Sequence, residues 1–292
     1  MDEELSSRRE RVASAASWRG LTFVALLALL CPIAHAHPQD DGLDQVLEAS
    51  GITSQVLSID GQVQQQLATN PDLARLPAED AARVRAAVAS SFKGQDILQY
   101  VRGEVAQRLK SNDIEALKKF YADPFIKRVT ALEKAMEKPD VPAQVQQYAR
   151  KLQSAPAPAS RVGLIGRLDQ KVGGSDFAYA VASSTITGML DGINRSLDPK
   201  RQLSPAALDK HAEKALAQIR QPMANFMMVS YLYAYRSLND DELERYVKAY
   251  DSPPVSKLMS GFKAGFLRGL RQSSLSVGRA VSTLRAPPPA GK

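Results

Sequence analysis

Few side chains in this sequence have the types and spacing that chemistry needs. Ser90 and Lys93 stand in an S-x-x-K pattern, which on a helix sets an amine one turn from a hydroxyl it could deprotonate. No S-D-N or K-T-G companion accompanies it, and so short a pattern arises by chance. Two carboxylates recur in Asp-Gly pairs, Asp60-Gly61 and Asp191-Gly192. Paired carboxylates do acid–base work only where the fold brings them within a few ångströms. The simpler expectation is that each bonds a backbone amide or a nearby arginine, while Gly61 and Gly192 let helices approach closely. His211 lies between Lys210 and Glu213 and reads as a surface residue. His37, if a leader is cleaved just before it, would pair an imidazole with a free amine, a copper- or zinc-chelating combination; a solvated terminus is the expected state. H-E-x-x-H, G-x-S-x-G and glycine-rich phosphate loops are all missing. The sequence therefore predicts no catalytic residue, no metal site and no cofactor: a protein that is not an enzyme.

The elements that would position any site begin after a leader. Arg8, Arg9, Arg11 and Arg19 precede an apolar run from Leu21 to Leu30, which closes with Ala34-His35-Ala36. That order predicts a secretory signal over residues 1–36, cleaved after Ala36, and a periplasmic destination. The run is shorter than the roughly 20 apolar residues a membrane span requires. The single cysteine, Cys31, falls inside the leader, so the mature chain has no disulfide and no thiolate chemistry. With 44% apolar and 24% charged residues, the 292-residue chain can bury real cores.

Downstream, apolar residues recur at helical spacing, as in Ile114, Leu117, Phe120 and Tyr121, and prolines punctuate the segments. An Ala-Pro stretch at 155–160 cannot continue a helix. The expected architecture is all-α, with two tandem helical-bundle domains: 37–154, the linker 155–160, 161–272, and a basic, partly disordered tail over 273–292. Tandem organisation is suggested by internal matches. Asp60-Gly61 answers to Asp191-Gly192, and Asn70-Pro71 to Asp198-Pro199. Capping residues at Ser111-Asn112-Asp113 and Asn239-Asp240-Asp241 lead into helices ending in Tyr-x-x-Pro, at Tyr121 and Pro124 and again at Tyr250 and Pro253. Proline starts a following helix well, so each motif is a helical corner with its tyrosine packed in the core.

Leu164 to Asp169, Met189-Leu190-Asp191-Gly192, and the corners Phe120-Tyr121-Ala122-Asp123-Pro124 and Ala249-Tyr250-Asp251-Ser252-Pro253 resemble the bacterial exported family known as domain of unknown function 2059. The resemblance covers most of 40–138 and 160–270. It departs where Ile126 and Val255 replace an expected glycine and Ala249 an expected phenylalanine. It implies a helical periplasmic domain and brings no catalytic residues.

Charge supplies one functional lead. The chain has a formal charge of +7. Residues 252–292 carry Lys257, Lys263, Arg268, Arg271, Arg279, Arg285 and Lys292 and no acid. The neutral remainder argues against nucleic-acid binding. Gly261, Gly265 and Gly269 form a ridge that lets another helix approach. Three roles fit this segment: packing on the second domain, an oligomer contact through the C-terminal helix, or attachment to an anionic envelope surface. The expected function is a binding or support module in the cell envelope, with an unidentified envelope protein or that surface as partner. The alternatives are a small-ligand carrier binding between helices, or a weak carboxylate-dependent hydrolase.

Overall fold

The computed structural model describes residues 41–282. The expected signal, His37, Arg285, Lys292 and the proline-rich end lie outside the described residues. The protein is all-α. In chain order the helices are α1 (Asp41–Ala49), α2 (Ile52–Leu57), α3 (Ile59–Thr69), α4 (Ala78–Ser91), α5 (Gly94–Ala106), α6 (Ser111–Ala122) and α7 (Pro124–Ala135), followed by α8 (Val141–Ser154), α9 (Ala159–Val172), α10 (Gly174–Arg195), α11 (Pro205–Leu216), α12 (Arg220–Ala234), α13 (Asp240–Ala249) and α14 (Pro253–Ser282). Among the described residues no helix is long and apolar enough to cross a membrane.

Local sequence accounts for the corners. Asp113, in the first turn of α6, accepts the Lys110 amide at 2.9 Å. Asn239 and Glu242 form a reciprocal capping box on α13, with bonds of 2.8 and 3.0 Å. Asp123 then accepts the amides of Phe125 and Ile126, while Pro124 occupies the first turn of α7, where its missing N–H costs nothing.

The two largest cores mix residues from both sides of the Ala-Pro break, whereas a smaller one, with Ala178, Ala182, Ile186, Leu216 and Met223, lies wholly after it. Val255, Leu258, Phe262 and Phe266 of α14 pack among Leu43, Val46, Val101 and Leu117 of the N-terminal helices. Ile126 and Val129 of α7 pack among Leu164, Ile165 and Leu168 of α9 and with Leu243 and Tyr246 of α13. The break between α8 and α9 covers 155–158, Ala159 and Ser160 of the expected linker opening α9 instead, and helices on either side of it close over each other.

The glycine ridge explains how closely they do so. A Cβ on Gly265 would lie 2.4 Å from Val101 Cα, and one on Gly261 2.8 Å from Val105 Cα, so α14 meets α5 backbone to backbone. On its other side α14 meets α10: a Cβ on Gly278 would lie 2.2 Å from the Met189 oxygen, and one on Gly192 2.1 Å from the Leu275 oxygen. Because Ser274 and Val277 are buried in this contact, the helix runs past the expected boundary at 272 as far as Ser282.

Candidate ligand cavity

Between α7, α12 and α13 a cavity of about 150 Å³ opens. Its walls are mainly apolar and come from both halves of the chain: Ile52, Phe120, Ile126, Val141, Phe226, Met259 and Phe262 among others. Ser50, Gln55, Thr130 and Ser230 add polar atoms to the wall, and a tyrosine cluster surrounds its carboxyl group, Glu133. Tyr235 and Tyr246 each donate a hydroxyl hydrogen to Oε1 of Glu133, both at 2.6 Å. The Tyr246 and Tyr250 hydroxyls are 3.0 Å apart. Tyr246 has already committed its proton to Glu133, so Tyr250 is the donor there, and a chain of hydrogen bonds runs from Tyr250 through Tyr246 to the carboxyl. The rings interlock, with Tyr235 and Tyr246 centroids 5.7 Å apart and Tyr246 and Tyr250 5.3 Å apart.

Burial pushes the Glu133 carboxyl above its ordinary range; the two tyrosine donors oppose that shift without overcoming it. Burial also raises Tyr235, Tyr246 and Tyr250 well above a free phenol, with the nearby Glu133 adding to the effect. Among the described residues no lysine or arginine pairs with Glu133, and its Oε2 accepts no hydrogen bond. Lys263 is turned to the Val172 carbonyl instead; burial lowers its pKa, and Asp176 and Asp169 oppose that shift.

The residues singled out in the sequence fall in several places. Tyr121 and Tyr250 both line the cavity, at the ends of helices followed by Pro124 and Pro253. Asp60 accepts the Gly94 amide at 2.5 Å and starts α5, whereas Asp191 pairs with Arg195 one turn on, at 2.8 and 3.0 Å. Asp191 is held by a local partner and Asp60 by the start of a different helix. A Cβ on Gly61 would meet nothing within 4 Å, so the expectation of a close approach there is corrected; at Gly192 the approach is real. Ser90 lies in the last turn of α4 while Lys93 is extended, so the S-x-x-K turn does not form. His211 is exposed on α11. Of the C-terminal cations, Lys257 pairs with Asp113, Arg268 with Glu104, and Lys263 with a carbonyl; Arg271 is exposed. Gly269 abuts Ile97, completing the ridge against α5.

Sequence reasoning passed over Glu133, Tyr231 and Tyr235. A signal existed: Glu133 falls four residues after Val129 and three before Met136, on the buried stripe of α7, where a carboxylate is out of place. Tyr231, Tyr233 and Tyr235 crowd five residues of α12 and its end.

Compared with family models, with curated proteins and with solved structures, the chain matches none. Among the described residues no group of three or more His, Cys, Asp or Glu side chains is arranged to hold a metal ion.

Proposed function

We propose that this is an exported, non-catalytic binding protein that holds a small, largely apolar ligand between its helices. The observation that carries this reading is the cavity itself: about 150 Å³, walled mainly by aliphatic and aromatic side chains, with Glu133 as the one carboxyl group among its described lining residues. Pockets for small molecules have this composition, a mostly apolar wall with few, convergent polar groups. A void of this size holds a molecule near the size of benzene. Reaction chemistry has less support, since the hydroxyls bonded to the carboxyl are phenols that burial holds in their neutral, weakly nucleophilic form.

The periplasmic setting rests on the arginine-rich, apolar leader over 1–36. Attachment to an anionic envelope surface or oligomerisation through α14 is the weaker reading, because the glycine ridge faces α5 and most described cations of α14 are engaged within the chain.

Thermal unfolding with saturating toluene tests the reading. Toluene should raise the midpoint of the wild-type protein, since a ligand selective for the folded state stabilises it. Met259→Trp, which fills the cavity, should abolish the rise. An unchanged midpoint in the wild-type protein refutes it.

A further inference from the structure

The identity of the ligand's polar group is written in the bonding around Glu133. We infer that the cavity selects a compact ligand carrying a cationic amine, with Glu133 as its counter-charge and the surrounding tyrosines as its aromatic walls. This deepens the proposed function and rests on it.

Three observations converge. First, Glu133 uses one oxygen for both tyrosine donors and leaves Oε2 without a hydrogen bond among the described residues. Buried carboxylates are ordinarily paired or fully hydrogen-bonded, so a free acceptor at a cavity wall is a place for an external donor. Second, the donors around the carboxyl are neutral phenols, and no protein cation among the described residues competes for it. Lys263 is held by the Val172 carbonyl, Arg161 is taken up by Asp240 and the Tyr235 carbonyl, and Asp169, near Tyr231, bears the same sign as an ionised Glu133. An entering ammonium group would draw the Glu133 carboxyl into its ionised form and pair with it, beside electron-rich ring faces that also attract cations. An entering carboxylate would gain neither attraction, and would be repelled wherever Glu133 is ionised.

Third, the matching positions of the chain do without such a cluster. Arg128 pairs with Glu242, and Lys257 pairs with Asp113, each residue 129 positions from its counterpart. In the same register Glu133 corresponds to Phe262, Tyr246 to Leu117 and Tyr235 to Ala106. The matching positions carry apolar side chains, with Phe262 and Leu117 buried and Phe262 forming an apolar wall of the same cavity. Tyr235 and Tyr246 pack in the core, but a carboxyl group where the matching position is a phenylalanine is more than packing needs.

The test is titration calorimetry of the mature chain, with benzylammonium, benzyl alcohol, benzoate and toluene as probes of similar shape. Benzylammonium should bind at least about tenfold tighter than benzyl alcohol, and benzoate more weakly than either. Glu133→Gln, which keeps the side-chain shape, should erase that preference while toluene still binds. On the wild-type protein, independent of any variant, the Glu133 carboxyl carbon resonance should move toward its ionised position when benzylammonium is added. Equal binding of the amine and the alcohol, a preference that survives Glu133→Gln, or a carboxyl resonance that stays put overturns the amine assignment, while toluene binding keeps the cavity reading intact. If none of the four probes binds, both fail together.

Discussion

Lys257 donates from Nζ to both carboxylate oxygens of Asp113, at 2.9 and 2.8 Å, and thereby fastens the last helix to a capping site in the N-terminal half. Arg128 on α7 makes the matching pair with Glu242 of α13. In both places the carboxylate also accepts the amide at the start of its own helix, from Lys110 and from Asn239. Two carboxylates therefore each do two jobs, capping one helix and locating another from the opposite half.

Asp113→Ala should destabilise the protein more than Lys257→Ala, because the aspartate loses both cap and pair. The two substitutions should be non-additive in a double-mutant cycle measured by urea unfolding, while either combined with Glu242→Ala should be additive. Asp113 titrates below its ordinary 3.8, chiefly through the hydrogen bond from Lys257 and then the Lys110 amide. Its contribution is thus present above pH 3.8 and lost as the pH falls through the depressed folded value. Additivity of Asp113 and Lys257 would contradict the pairing.

Much of the fold was legible because helices announce themselves locally. Capping residues, Pro at the first turn and apolar spacing fix α6, α7, α13 and α14 without reference to distant parts of the chain. What could not be read was which half each helix joins. Nothing in Val255 or Phe262 says that they pack on Val101 rather than on Leu232; that choice depends on Gly261, Gly265 and Gly269 meeting a particular backbone. The cavity was hidden for the same reason. Tyr121 and Tyr250 stood out from their motifs, but Glu133 becomes meaningful only beside Tyr235 and Tyr246, more than a hundred residues away.

The glycines give a paired prediction. Gly61→Ala places its methyl in open space on an exposed helix face and should stabilise the protein by about 0.5–1 kcal/mol through helix propensity. Gly265→Ala drives a methyl into the Val101 backbone and should cost about 1–3 kcal/mol or more. Thermal melts of the two variants check this; similar shifts would show that α14 does not approach α5 so closely.

Glu137 gives the pH dependence. Its Oε1 is buried without a hydrogen-bond partner, and burial pushes the carboxyl up to about 8. The folded state then holds a proton that the unfolded state releases near 4.5, so this residue's contribution to stability falls as the pH rises from about 4.5 to about 8. Glu137→Gln removes the titration. The variant should lose less stability than the wild-type protein between about pH 5 and about 8, as read from urea midpoints. A wild-type profile that the substitution leaves unchanged would place the titration elsewhere.

Tyr246→Phe isolates the hydrogen-bond chain from the cavity's shape. The hydroxyl donates to Glu133 and accepts from Tyr250, so its loss leaves the carboxyl with Tyr235 as its donor and strands the Tyr250 proton. Since both tyrosine donors lower the Glu133 pKa against the larger effect of burial, removing one should raise it further. Losing a hydrogen bond to a buried, ionisable group should cost about 1–3 kcal/mol, more at high pH, where the carboxylate form is demanded, than at low pH. Tyr250→Phe removes the outer donor alone and should cost less, because Tyr246 still reaches Glu133. The order is checked by carboxyl carbon titration and urea unfolding of both variants. If Tyr250→Phe shifts the Glu133 titration as far as Tyr246→Phe does, the carboxyl is tuned by the cluster as a whole and not by its two direct donors.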